Sequence, residues 1–81
     1  MDEIPRVRMF SRRRCGLCDA AREVLREAGA GREFTFEEVL IDDDDDLERR
    51  YGLRVPVVLV DGEEAFEAEV DAEILRSLLG R

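Results

Sequence analysis

The sequence predicts an α/β fold in the order βαβαββα, and three observations carry the prediction. Alternating apolar residues at Val7–Phe10 run directly into a segment with helical spacing. A continuous apolar stretch fills Val55–Val60. Asp61-Gly62, which follows at once, is a strong hairpin signal. The 81 residues suit a single domain spanning 1–81, because a chain of this size supplies one hydrophobic core.

Taken in order, the first strand covers Val7–Phe10 and ends near Ser11. Apolar residues then fall at Leu17, Ala20, Ala21, Val24, Leu25 and Ala28, one face of a helix that Gly29 stops. The spacing places Cys15 and Cys18 in its first turn. After a turn at Gly29–Gly31, a second strand is expected from Phe34 to Ile41, its end Val39-Leu40-Ile41 apolar enough to be covered on both faces. Asp42–Asp46 leads into a short second helix over Leu47–Tyr51, with acids at its start, Arg at its end and Gly52 closing it. The third strand is Val55–Val60 and the fourth Ala65–Glu69. Asp71 caps a last helix with the apolar stripe Ile74, Leu75, Leu78 and Leu79, ended by Gly80. Strand–helix–strand at the start implies a right-handed parallel crossover, and the hairpin adds antiparallel pairing, so the sheet is mixed. Helices must cover it, because its strands carry apolar residues on both sides.

Composition narrows the partners. Apolar residues make up 44% of the chain, enough to fold, although 42% is charged. A net charge of −8 disfavours nucleic acid, which needs a basic face. The charge is uneven: residues 1–32 carry eight Arg against five acids, a net +3, and the remainder is −11. The cysteines therefore lie in a cationic part of an acidic chain. No run approaches the length of a membrane span, and residues 1–30 show no signal-peptide pattern. Two cysteines so close together make no secreted disulfide framework, so a cytoplasmic location is expected.

Cys15-Gly16-Leu17-Cys18 carries the chemistry. Only a thiolate attacks a disulfide. A helix N-terminus, the preceding Arg12, Arg13 and Arg14, and a hydrogen bond from the Cys18 thiol would each favour the anion at Cys15. Cys18, one turn on, can then resolve the mixed disulfide. Gly16 permits close approach of a substrate, and Leu17 offers it an apolar edge. A Cys-x-x-Cys between a first strand and a helix is a redox signature; a metal site would need more ligands than two thiols and no His supply. No metal is expected. Val55-Pro56, opening an otherwise good strand, reads as a cis peptide facing the cysteines, with Val55 backbone groups free to pair with a substrate.

These residues, with Val7–Ser11, Asp19, Tyr51-Gly52, Arg54 and Asp61-Gly62, resemble the glutaredoxin branch of the thioredoxin-fold superfamily, especially its short bacterial glutaredoxin-like proteins. The resemblance spans nearly the whole chain. It implies a four-stranded mixed sheet flanked by three helices, Cys15 as nucleophile, Cys18 as resolving thiol and Val55-Pro56 as substrate ledge. A monomer without bound cofactor is expected, reducing a disulfide-bearing protein or small thiol compound, with glutathione or a thioredoxin-type reductase as electron donor. Glutathione-using members place a Gly-Gly segment before the last helix; here Glu69-Val70-Asp71 stands there, and its acids would repel the tripeptide's γ-glutamyl carboxylate. Arg12, Arg14, Arg49 or Arg54 could hold the glycyl carboxylate instead. Two other readings stay open: a dimer holding an iron–sulfur cluster or zinc through Cys15, and a thioredoxin-like interaction domain without catalysis.

The remaining features read as structural. Asp42–Asp46 lacks the Gly and ligand spacing of a calcium loop and reads as a solvated helix start. Phe10, Phe34, Phe36 and Phe66 are expected in the core, and Asp19 reads as a first-turn acid.

Overall fold

The computed structural model describes residues 4–80. Seven elements follow in the expected order: β1 (Arg6–Ser11), α1 (Gly16–Ala28), β2 (Thr35–Leu40), α2 (Asp45–Tyr51), β3 (Val57–Val60), β4 (Glu63–Glu67) and α3 (Ala72–Leu79). The sheet order is β2-β1-β3-β4. β1 pairs parallel with β2 and antiparallel with β3, and β3 pairs antiparallel with β4. Asp61 and Gly62 both take positive φ, +53° and +87°, as the tight turn between β3 and β4 requires.

Alternation along the strands sends side chains to two cores. Val7 and Met9 join Ala21, Leu25 and Ala28 of α1, Val58, Val60, Phe66, and Leu75 and Leu79 of α3. On the other face Phe10 and Val57 meet Ile41 and Tyr51 of α2, with the Phe10 and Tyr51 rings stacked at 4.2 Å. Covering both faces gives a layered arrangement with helices on each side of the sheet.

The structure corrects several expectations. β2 is an edge strand, not one covered on both faces; Leu40 and Phe36 are exposed, and Phe36 is not a core residue. Phe36 and Leu40 share one face of β2, where cover is incomplete, while Val39 and Ile41 on the opposite face pack into the second core. β3 begins at Val57 rather than Val55, because Pro56 cannot donate to a ladder. β4 begins at Glu63, directly after the two-residue turn, and ends at Glu67. α2 begins at Asp45 because the Asp44 carboxylate accepts from the Asp46 and Leu47 amides, fixing the helix start earlier than the apolar spacing shows. In α3, Leu75 and Leu79 are buried while Ile74 and Leu78 stay exposed.

The topology gathers four segments at one end of the sheet. β1 and β2 end there and β3 begins there. Val57 pairs with Glu67, so β4 ends there too. Residues 12–18, 41–46, 52–56 and 67–73 therefore share that end.

Candidate functional site

Cys15 is the N-cap of α1 rather than part of its first turn. Its backbone is extended (φ −123°, ψ 109°), and its Sγ accepts a hydrogen bond from the Cys18 N–H at 3.2 Å. A side-chain acceptor at this position satisfies an amide that the helix cannot. Here the acceptor is the Cys15 sulfur. Cys15 is partly exposed. Gly16, beside it, has open space where a Cβ would stand, and Leu17 is half exposed.

Cys18 is fully buried. Burial pushes its thiol up to about 11, and its hydrogen bond with the Cys15 sulfur acts in the same direction. The two thiols thus differ in kind: one open to visitors, the other protonated and enclosed at neutral pH.

At the same end of the sheet, Pro56 is buried and the Val55–Pro56 peptide bond is cis. The Pro56 carbonyl accepts from the Ala68 N–H at 2.8 Å, tying this segment to the end of β4. Among the described residues, the Val55 N–H and C=O enter no hydrogen bond.

The arginines divide. Arg12 donates twice to Glu48, at 2.7 and 2.9 Å, and also to the Gly52 carbonyl at 2.8 Å. Arg54 reaches Glu67 at 3.2 Å, Glu64, and the Arg50 carbonyl, and lies over the Tyr51 ring. Both guanidiniums are engaged within the chain. The abundance of acids in the second half of the chain is the reason. Arg49 pairs with Asp46, and Arg13 reaches Asp43. Arg14, at φ +54°, has no ion pair or side-chain hydrogen bond among the described residues. It directly precedes Cys15 in the chain, whereas the cation that interacts with the Cys15 sulfur is Arg12.

Sequence reasoning missed the polar cluster alongside. Ser11, fully buried at the end of β1, donates to Glu38, which also receives Arg22 at 2.9 and 3.0 Å. Arg22 holds the Glu38 carboxyl below its usual range, with Ser11 adding to the effect. Arg22 also meets Asp19, the first-turn acid. Nothing in the sequence pairs positions 11, 22 and 38; the pairing of β1 with β2 and the place of α1 against them do so. Among the described residues no group of three or more His, Cys, Asp or Glu could hold a metal, and no helix is long and apolar enough to cross a membrane.

The Glutaredoxin-like domain (DUF836) matches residues 6–80. The chain belongs to this family. An uncharacterized protein of Mycobacterium tuberculosis is 34% identical over 84 aligned positions, covering 95% of this chain and 84% of that one. A structural-genomics target protein from X. campestris is 44% identical, with a TM-score of 0.77 over 90% of this chain and 93% of that one. A thioredoxin from Halobacterium salinarum, 24% identical, superposes with a TM-score of 0.62 over 95% of this chain and 73% of its own. This glutaredoxin-like protein thus has the thioredoxin fold, and its family and paired cysteines point to redox chemistry.

Proposed function

We propose that this glutaredoxin-like domain is a thiol–disulfide oxidoreductase in which Cys15 attacks and Cys18 resolves. The observation that carries the reading is the Cys15 Sγ at the N-cap of α1, accepting the Cys18 N–H at 3.2 Å while the Cys18 thiol lies buried beside it. The Cys15 thiolate attacks one sulfur of a disulfide, forming a mixed disulfide and expelling the other sulfur as a thiolate, which takes a proton from solvent. The Cys18 thiol then gives up its proton and attacks the Cys15 sulfur. A Cys15–Cys18 disulfide forms, the substrate leaves as a thiol, and two electrons have passed to it.

The other elements serve this sequence. Gly16 leaves room for the incoming sulfur, and the unengaged Val55 backbone can pair with an extended substrate. Arg12, whose guanidinium interacts with Cys15, supplies a cation beside the exchange. Regeneration needs an outside reductant, either glutathione or a thioredoxin-type reductase, in a reducing compartment such as the cytoplasm. The domain acts as a monomer without bound cofactor.

Turnover of bis(2-hydroxyethyl) disulfide with a dithiol reductant tests the proposal. Cys15→Ser lowers the rate at least a hundredfold, to that of the uncatalysed exchange. Undiminished turnover by Cys15→Ser overturns the assignment.

A further inference from the structure

Resting on that reading, we infer that the disulfide offered to Cys15 belongs to a polypeptide whose cysteine is flanked by apolar and basic residues, and that an anionic small disulfide is a poor substrate. The groups at the cysteine end of the sheet carry the inference.

The donors an anionic ligand would need are consumed by the chain itself. Asp44 takes two amides of α2, and Asp71 takes the Glu73 and Ile74 amides of α3. The Arg12, Arg13 and Arg54 guanidiniums are held by Glu48, Asp43, Glu64 and Glu67. What remains is negative. Among the described residues Asp42, Asp44, Asp45, Glu69, Asp71 and Glu73 have no cationic partner, and one cation, Arg14, stands unpaired against them. Exposed charges within a Debye length of a visiting group, about 10 Å at 0.1 M salt, are only partly screened, so this end repels anions and draws cations.

The same end presents uncovered hydrocarbon. Leu53, in the turn before Arg54 and Val55, is fully exposed, and Leu17, between the cysteines, is half exposed. A small thiol has nothing to cover both; a peptide chain laid along Val55 does. Apolar contact gives such a complex affinity, and the acidic surround selects the charge of its flanking residues.

The test compares kcat/KM for oxidised glutathione, bis(2-hydroxyethyl) disulfide, and disulfide-linked short peptides in which the cysteine follows Leu and precedes either Arg or Glu. The Arg-flanked peptide is expected to react about tenfold faster than the Glu-flanked one at low ionic strength, the gap narrowing in 0.5 M salt, with glutathione slowest. Leu53→Ser is expected to lower the ratio of peptide to hydroxyethyl rates about fivefold, chiefly through KM. Oxidised glutathione or the Glu-flanked peptide reacting as fast as the Arg-flanked one overturns the inference while leaving the oxidoreductase reading intact. Failure to reduce even the hydroxyethyl compound overturns both.

Discussion

Arg12 and Glu48 meet through two N–H···O hydrogen bonds, joining the loop before Cys15 to α2 across 36 positions of sequence. A third bond, to the Gly52 carbonyl, fastens the same guanidinium to the turn that leads to Val55. One side chain therefore links the nucleophile's loop to that turn. Only a planar fork makes such a pair; Lys cannot. Arg12→Lys and Glu48→Gln should each lower the urea midpoint and speed amide exchange over residues 12–18. Their effects should fall short of additive in the double variant. Additive effects would mean that the two residues act separately.

Gly52 belongs to the same joint. A Cβ there would lie 2.5 Å from the Glu48 carbonyl oxygen, 2.8 Å from its Oε1 and 3.2 Å from an Arg12 nitrogen. Its φ of −53° is ordinary, so space rather than backbone freedom requires the glycine. Gly52→Ala should destabilise the fold and loosen residues 12–18 as Arg12→Lys does. A stabilised Gly52→Ala protein, the usual result in a helix, would contradict this.

Cys18 predicts a pH dependence. Its folded-state thiol titrates near 11, above the 9.0 of an unperturbed thiol, so the native state holds this proton more tightly than the unfolded chain. The contribution to stability is complete below about 9.0 and is lost as pH rises toward about 11. Reduced protein should lose stability to urea across that window, and Cys18→Ser should lose less. Identical slopes for the two proteins would show that the buried thiol is not the source.

The core beneath α3 sets the scale for the fold. Leu75 is fully buried between α1 and the sheet. Leu75→Ala should cost about 2–5 kcal/mol, measured by equilibrium urea unfolding. Leu78→Ala, on the exposed side of the same helix, should cost well under half as much. Equal costs would place the helix the other way round.

Much of this was legible in the residues. The order of elements, the cap at Asp71, the turn at Asp61-Gly62 and the place of the cysteines all depend on local chemistry that a short window contains. What needed the fold was pairing between distant positions. β2 looked buried because Val39-Leu40-Ile41 is apolar, yet apolarity does not say which strand ends up at the edge. Arg12 and Arg54 looked free because nothing near them in sequence marks Glu48 or Glu64 as partners. The Ser11–Glu38–Arg22 cluster was invisible for the same reason.

The unequal standing of the two thiols is tested most directly by limited alkylation. Reduced protein is treated with substoichiometric iodoacetamide at pH 7, digested, and the modified cysteine located by mass spectrometry. Label is expected on Cys15 and almost none on Cys18. Equal labelling of the two, or preference for Cys18, would contradict it.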